Sequence, residues 1–238
     1  YEARYLSGVL AGLQTDTGNI GYVVSEGNGE TVSCINAFTI GVRSVNPQAR
    51  VYLLYANEAK EDAFVRRRVN KLINTYMVDV ISYEQRTSVV AQVAEEKGVY
   101  VIGYHLENTK ETEYSCLTNI YNEWSPFYKD VITKAKDDKN VIANGETINK
   151  LDLELPARYN TADGVVRLSG LTDNTKAGIK TKVNSSRKSI KSGELYIFSG
   201  PLCDNNGKPR LLEGEQLAKE DIGTAIYWFV DGVTVVRY

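Results

Sequence analysis

The stretch GNIGYVV at residues 18–24 opens the part of the chain that decides the fold. It is an apolar run of strand length, and three runs of the same kind follow it: VYLLYA at 51–56, VDVISY at 78–83 and VYVIGY at 99–104. Nearly continuous apolar runs rich in β-branched residues are typical of parallel strands that are buried on both faces. The four runs therefore predict four neighbouring parallel strands.

The segments between these runs have the periodicity of helices, at 31–44, 58–76 and 88–97. Pro47 stops the first helix and Gly98 ends the third, as expected of these residue types. Strands that alternate with helices in this way are joined by right-handed crossovers. The predicted fold class is α/β, with a parallel sheet flanked by helices.

The second half of the chain has a different character. Residues 119–136 are aromatic at first and then amphipathic, which indicates a helix up to about Lys136. A short apolar run follows at 164–171, and residues 173–192 form another polar helix candidate. The tail from Glu194 onward predicts short strands joined by turns.

Composition excludes several classes of function. The 238 residues carry a net charge of −2, whereas a nucleic-acid binder usually shows a strongly basic face. Arg66, Arg67 and Arg68 lie within a predicted amphipathic helix, where they indicate a solvated face. No run of about twenty apolar residues is present, as a membrane span requires. With one histidine and three widely spaced cysteines, the chain lacks the pattern of a zinc site, and no cofactor is predicted.

Ligands of open parallel α/β sheets bind at the carboxyl ends of the strands. That rule selects the loops at 25–29, 56–58, 84–87 and 105–108. The first of these loops contains two glycines and precedes a helix, but it matches neither GxGxxG nor a P-loop. A flexible turn is therefore favoured there over a phosphate cradle.

Three titratable residues, His105, Glu107 and Glu123, are expected near this edge of the sheet. No GxSxG motif supplies a nucleophile for them, and a lone histidine at a strand end is typical of a packing residue. The aromatic residues from Tyr121 to Tyr128, which include Trp124, allow two interpretations. They either pack in a core at helical spacing or form a stacking wall for a flat ligand such as a nucleobase.

Five segments, taken in order, resemble the basic membrane protein family of ABC-transporter substrate-binding lipoproteins. They are YEARYLSGVLAGLQTDTGNIGYV (1–23), INAFTIGVRSVNPQARV (35–51), AEEKGVYVIGY (94–104), CLTNIYNEWSPFY (116–128) and SGELYIFSGPLCDNNGKP (192–209). The resemblance covers nearly the whole chain. It implies a type I periplasmic-binding-protein fold, in which two α/β lobes are hinged around a cleft.

On that template residues 19–117 form one complete α/β lobe. Residues 1–18 and 119–238 would then be the remnant of the first lobe, the hinge crossings and a C-terminal extension. The first lobe is otherwise expected to be mostly missing, so that the numbering begins inside a longer protein.

The resemblance also implies ligand-binding positions. Glu107 stands where the family usually has an aspartate, and His105 precedes it in the same short motif. Glu123 and Trp124 follow Asn122 where the family has tryptophan-asparagine-tryptophan. Asp163 is the first residue of the sequence Asp-Gly-Val-Val, which matches a turn of the family. No catalytic and no metal-binding residue is implied.

The function implied by the resemblance is that of the solute-binding component of an ABC importer, with a purine nucleoside or nucleobase-like ligand held between the lobes. Such a protein is extracytoplasmic, anchored as a lipoprotein through a segment before Tyr1, and has an ABC permease as its partner. It is expected to be a monomer, to bind no nucleic acid and to catalyse nothing. The first alternative is a ligand-sensing module of the same fold in a signalling or regulatory protein. A second, less favoured alternative is an enzyme that uses Glu107 or Glu123 with His105.

Overall fold

The computed structural model describes residues 1–57, 60–105, 114–137 and 164–237, with side chains of the fifth helix described up to residue 133. Its helices are α1 Glu2–Gln14, α2 Gly29–Val45, α3 Asp62–Tyr76, α4 Val89–Lys97, α5 Ser125–Asp137 and α6 Ile179–Ser192. Its strands are β1 Asn19–Val24, β2 Arg50–Tyr55, β3 Val80–Glu84, β4 Tyr100–Tyr104, β5 Cys116–Asn122, β6 Val166–Leu168, β7 Leu202–Cys203, β8 Pro209–Leu211 and β9 Val233–Val236.

The main sheet has seven strands in the order β6-β5-β4-β3-β1-β2-β9. Strands β1 to β5 and β9 pair in parallel with their neighbours, and the α/β class predicted from the sequence is confirmed. Val24, the last residue of β1, lies opposite Tyr55 on one side and Glu84 on the other. The carboxyl ends of these three strands are therefore level, and the loops that follow them share one edge of the sheet.

The four predicted strands are confirmed as β1 to β4, but the sheet extends further on both sides. The segment CLTNIYN at 116–122 is strand β5, parallel to β4, so the helix predicted from residue 119 begins only at Ser125. At the other edge β9 pairs with β2. The tail does contain short strands and turns, yet its longest strand belongs to the main sheet.

Contacts divide the chain into two compact units, Tyr1–Tyr121 with Leu168–Tyr238, and Asn122–Arg167. Within the first unit α1 packs against α2, and also against α6. Residues 1–18 are thus part of the same unit as β1 to β4. The division into lobes expected from the sequence stays a prediction.

Helices α1 and α2 approach closely enough for backbone contact. A Cβ atom added at Gly8 would lie 2.0 Å from the carbonyl oxygen of Phe38, and one added at Gly41 would lie 2.2 Å from that of Tyr5. Only glycine fits at such distances, because ordinary carbon–oxygen contacts need more than 3 Å. The crossing of α1 and α2 therefore depends on these two positions.

The C-terminal tail is held to α2 by the buried side chain of Asn36. Its Nδ2 donates to the carbonyl of Trp228 at 2.8 Å, and its Oδ1 accepts from the amide of Val230 at 3.0 Å. These two bonds precede β9 directly in the chain. Asn36 thus fixes where the tail enters the sheet.

No helix in the described part of the chain combines the length and the apolar character needed to cross a bilayer.

Candidate functional site

A buried arginine lies at the carboxyl edge of the sheet. Arg4 is on the first turn of α1, and its side chain is only 3% exposed. Its Nη1 donates to the hydroxyl of Ser82 at 3.3 Å and to the carbonyl of Tyr83 at 3.2 Å. Its Nη2 lies 3.4 Å from the carboxylate of Glu84. All three partners belong to the last residues of β3, so Arg4 joins α1 to the end of the central strand.

Two tyrosine rings flank the same guanidinium. Its central carbon lies 5.5 Å from the ring centroid of Tyr22 and 5.1 Å from that of Tyr104. The hydroxyl of Tyr22 also donates to Glu84 at 3.3 Å. A cation between aromatic faces is stabilised by the negative potential of the rings. Arg4, Glu84 and the two tyrosines are called the Arg4 cluster below.

Charge and burial shape the titration of this cluster. Burial raises the pKa of Tyr22 and of Tyr104, so both remain neutral phenols at physiological pH. Burial alone would lower the pKa of Arg4, but its interactions with Tyr22 and Glu84 raise that pKa above its usual value. The cluster therefore holds a permanent cation under the edge of the sheet.

A second polar side chain ties neighbouring loops together at this edge. Gln85 is 2% exposed and donates from Nε2 to the carbonyl of Ala56 and to the hydroxyl of Ser25, the latter at 3.4 Å. These bonds link the ends of β3, β2 and β1. In the described residues its Oε1 atom is buried without a hydrogen-bond partner. Buried polar atoms of this kind call for an explanation such as a water or a ligand.

His105 lies where the sequence predicts it, directly after β4. Its backbone is in the left-handed region with φ 49°, and its amide donates to the carbonyl of Ile120 at 2.9 Å. The imidazole packs edge-on to the ring of Tyr104, with the centroids 4.6 Å apart. Desolvation, and then the charge of Arg4, lower the pKa of His105. A neutral imidazole therefore borders the Arg4 cluster.

Glu123 and Trp124 lie in the second compact unit, and each is described there by itself. Glu123 accepts from the amide and the hydroxyl of Ser125 at 3.1 and 2.6 Å, which places it at the start of α5. These hydrogen bonds lower the pKa of Glu123. The ring of Trp124 is 50% exposed and lies 6.0 Å from that of Phe127, edge to face. Their ligand-binding roles stay predictions.

Two other predicted binding residues, Glu107 and Asp163, lie outside the described residues.

In the loop after β1, Asn28 caps α2 by accepting a hydrogen bond from the amide of Thr31 at 2.9 Å. That bond uses one of the donors that a phosphate would need at the helix start. The preference for a turn over a phosphate cradle agrees with this cap.

The sequence reasoning missed Arg4, Glu84 and Gln85. A signal for Arg4 was present, because it is the only basic residue of α1 and, apart from Glu2 and Gln14 at the two ends, the helix consists of apolar or small residues that are mostly buried. A lone charge in such a helix must find a partner in the core. Nothing comparable marks Glu84, which stands among several acidic residues near strand ends.

Two further concavities lie away from this edge. One is a cavity of about 80 Å³ lined by residues of α6 and the tail, including Ile190, Tyr196 and Phe198. The other is an open groove between α2 and the tail, lined by Ile40, Arg43, Ser44, Pro201, Leu202, Cys203, Val230 and Asp231. Neither contains a residue of the Arg4 cluster. Within the described ranges no three His, Cys, Asp or Glu side chains gather as metal ligands.

A parallel sheet flanked by helices defines an α/β protein, and comparison with solved structures assigns the periplasmic-binding-protein-like fold. A solved structure of an ABC transporter solute-binding protein from Conexibacter woesei shares this fold, with a TM-score of 0.62 at 15% identity over 82% of this chain and 61% of that one. The chain belongs to the Bmp family, described as ABC transporter substrate-binding protein PnrA-like, whose sequence profile matches residues 1–198. The resemblance noted in the sequence is thereby confirmed.

Two curated relatives extend this comparison. A purine-binding protein of Brucella abortus is 29% identical over 233 residues, which are 98% of this chain and 62% of the relative. A putative ABC transporter glucose-binding protein of Haloferax volcanii is 28% identical over 201 residues, or 84% of this chain and 48% of the relative. The chain thus spans about half to three fifths of the length of these relatives.

Proposed function

We propose that this chain forms part of an extracytoplasmic solute-binding protein of an ABC importer, and that its ligand contacts the carboxyl edge of the sheet. The observation that supports the site is the Arg4 cluster. A charged pair at the end of a central parallel strand, in an otherwise apolar sheet, is the arrangement expected of a binding edge rather than of a core.

The proposed ligand is a purine nucleoside or nucleobase. Support comes from the Brucella relative, which is named as purine-binding, and the Haloferax relative leaves a sugar as the nearest alternative. Both kinds of solute are neutral and carry several N–H or O–H donors. On this proposal His105, Glu107, Glu123, Trp124 and Asp163 contribute further contacts, as the family pattern suggests.

Membership of a substrate-binding family supports a permease as partner, and the remaining parts are proposed as the resemblance implies them. The partner is an ABC permease, the protein is a monomer anchored as a lipoprotein, and it releases its ligand chemically unchanged. A ligand-sensing module of the same fold stays the alternative prediction, and it would require the same binding edge.

A thermal-shift titration tests the proposed ligand class. Adenosine, guanosine, adenine and D-glucose are added to the 238-residue chain and to the product of its whole gene. A solute that binds only the folded state stabilises it by about 2.7 kcal/mol at one hundred times its Kd, which corresponds to a rise in Tm of about 5 to 10 °C. We expect such a rise with at least one purine.

The control for this titration is adenosine monophosphate, whose extra charge the proposed site does not accommodate. A rise with glucose but with no purine would redirect the assignment to sugars. If no probe changes the Tm of either protein, the proposed solute-binding function is contradicted.

A further inference from the structure

Of the two carboxylate oxygens of Glu84, Oε2 contacts two protein side chains, whereas Oε1 has no protein partner among the described residues. Its Oε2 receives the hydroxyl of Tyr22 at 3.3 Å and lies 3.4 Å from Nη2 of Arg4. Across the described residues no hydrogen bond or ion pair reaches Oε1. Tyr22 is fully buried and Arg4 nearly so, whereas the Glu84 side chain is 22% exposed. Oε1 is not among the buried polar atoms that lack a hydrogen-bond partner, so it is accessible to solvent.

The partners of Glu84 are themselves immobilised. Arg4 is anchored to Ser82 and to the carbonyl of Tyr83, and its guanidinium also contacts the rings of Tyr22 and Tyr104. A carboxylate held by such a support has little rotamer freedom left to lose. Pre-oriented groups bind a ligand more tightly because the entropic cost of ordering them has already been met on folding.

From this geometry we infer that Glu84 selects the ligand, by accepting a hydrogen bond through Oε1 from an N–H or O–H group of a neutral solute. Arg4 and Tyr22 act as positioning residues that hold the carboxylate in place. The inference rests on the proposed solute-binding function and deepens it, since it assigns a specificity-determining residue and a ligand class.

The ligand class follows from the chemistry of the two oxygens. An ionised carboxylate only accepts hydrogen bonds, so the ligand must supply the donor. Nη1 of Arg4 donates to Ser82 and Tyr83, while Nη2 lies 3.4 Å from Glu84 as an ion pair and makes no hydrogen bond within the described residues. Because the Arg4 side chain is only 3% exposed, the guanidinium offers an anion in solution no accessible contact. A phosphate or carboxylate on the ligand would instead meet the like charge of Glu84. The edge therefore favours amino and hydroxyl groups and rejects anions.

Isothermal titration calorimetry on the product of the whole gene tests this inference, with adenosine as the probe. The variant Glu84→Gln keeps the shape of the side chain but replaces a charged acceptor by a neutral amide. Hydrogen bonds to charged groups are stronger than neutral ones, so we expect the Kd for adenosine to rise about tenfold or more. The control is Glu96→Gln, which alters another arginine-paired glutamate, 2.6 Å from Arg66 at the end of α4. The Kd of this control variant for adenosine should stay within about twofold of the Kd of the unaltered protein.

Four analogues that each lack one donor group of adenosine separate direct contact from structural damage. Purine riboside lacks the amino group, and 2′-deoxyadenosine, 3′-deoxyadenosine and 5′-deoxyadenosine each lack one hydroxyl. In a thermodynamic cycle the effect of Glu84→Gln should shrink to about twofold for the analogue without the donor that Glu84 binds. A general loosening of the site would weaken all four equally. If Glu84→Gln fails to fold, Glu84→Asp retains the charge and withdraws the oxygen by one methylene, and the same selective loss is expected.

An unchanged Kd in a folded Glu84 variant would overturn the inference and leave the proposed function standing. An equal loss for adenosine and all four analogues would also overturn it. Absence of binding of adenosine, guanosine and adenine by the unaltered protein would contradict the proposed purine ligand and the inference together.

Discussion

Replacing Gly8 by alanine is expected to destabilise the fold by about 4 kcal/mol or more, or to prevent folding. The added methyl would lie 2.0 Å from the carbonyl oxygen of Phe38, which is main-chain and cannot rotate away. Relief requires α1 and α2 to separate, and α1 carries Arg4 into the sheet edge. Overpacking of this kind costs about 1–3 kcal/mol when side chains can adjust, and more when only backbone can move. The measurement is denaturant unfolding followed by circular dichroism.

The matched control is Gly170→Ala. Gly170 lies in a loop where an added Cβ meets nothing within 4 Å. The free energy of unfolding of the Gly170→Ala variant should therefore differ from that of the original protein by no more than about 0.5 kcal/mol. Alanine is a better helix former than glycine by about 1 kcal/mol, so propensity alone would stabilise the Gly8 variant. A Gly8→Ala protein as stable as the original would show that the close crossing of α1 and α2 is wrong.

Replacing Asn36 by alanine is expected to reduce the free energy of unfolding by about 3 kcal/mol and to release the C-terminal tail locally. The change removes both bonds of the amide, to the carbonyl of Trp228 and to the amide of Val230. Each backbone group left buried without a partner costs about 1–3 kcal/mol. Denaturant unfolding measures the total, and amide hydrogen exchange at Val230 and along β9 locates the loss.

Asn184→Ala serves as the comparison for this change, because Asn184 is exposed on α6 and makes only a long contact with Arg187 at 3.5 Å. It should leave both stability and the exchange of Val230 unaltered. Full protection of Val230 in the Asn36 variant would contradict the role of Asn36 as the anchor of the tail.

The central sheet could be predicted from sequence because burial on both faces leaves a direct pattern. Strands β1 to β4 are runs of apolar residues, and each is followed by a turn or helix signal. Strand β5 was missed because its segment, CLTNIYN, mixes asparagine and threonine with apolar residues. Thr118 and Asn119 in it are buried yet find polar partners around Ser169 and Cys116. Ser169 is distant in sequence and the bond to Cys116 is weak, so the local sequence pattern does not predict these contacts.

Strand β9 was missed for a related reason. Its four residues, VTVV, follow a turn near the end of the chain, and its pairing with β2 joins residues nearly two hundred positions apart. Pairing over such distances cannot be read from periodicity. What places β9 is the anchoring of the tail by Asn36. The other buried residues of α2 are mostly apolar, and the two polar ones, Ser33 and Thr39, bond to carbonyls within the helix.

The location of the candidate site could be predicted from the sequence, but most of the residues that organise it could not. The rule that ligands bind at carboxyl ends of parallel strands selected the correct edge, and His105 was expected there. The interactions that organise the edge were not accessible to that rule, because they depend on where α1 crosses the sheet. Only the packing of α1 against α2 brings Arg4 to Ser82 and Glu84, and that packing is set by glycines.

The measurement that bears most directly on the proposed solute site is a titration of the isotopically labelled chain with adenosine, followed by amide NMR shifts. The account predicts saturable shifts at the carboxyl edge, at Ser25, Gln85 and His105. It predicts none at the opposite edge, where Gly18 and Gly98 precede β1 and β4. Saturable shifts confined to the opposite edge, or no saturable shift at all, would contradict the assignment of a ligand site to the carboxyl ends of these strands.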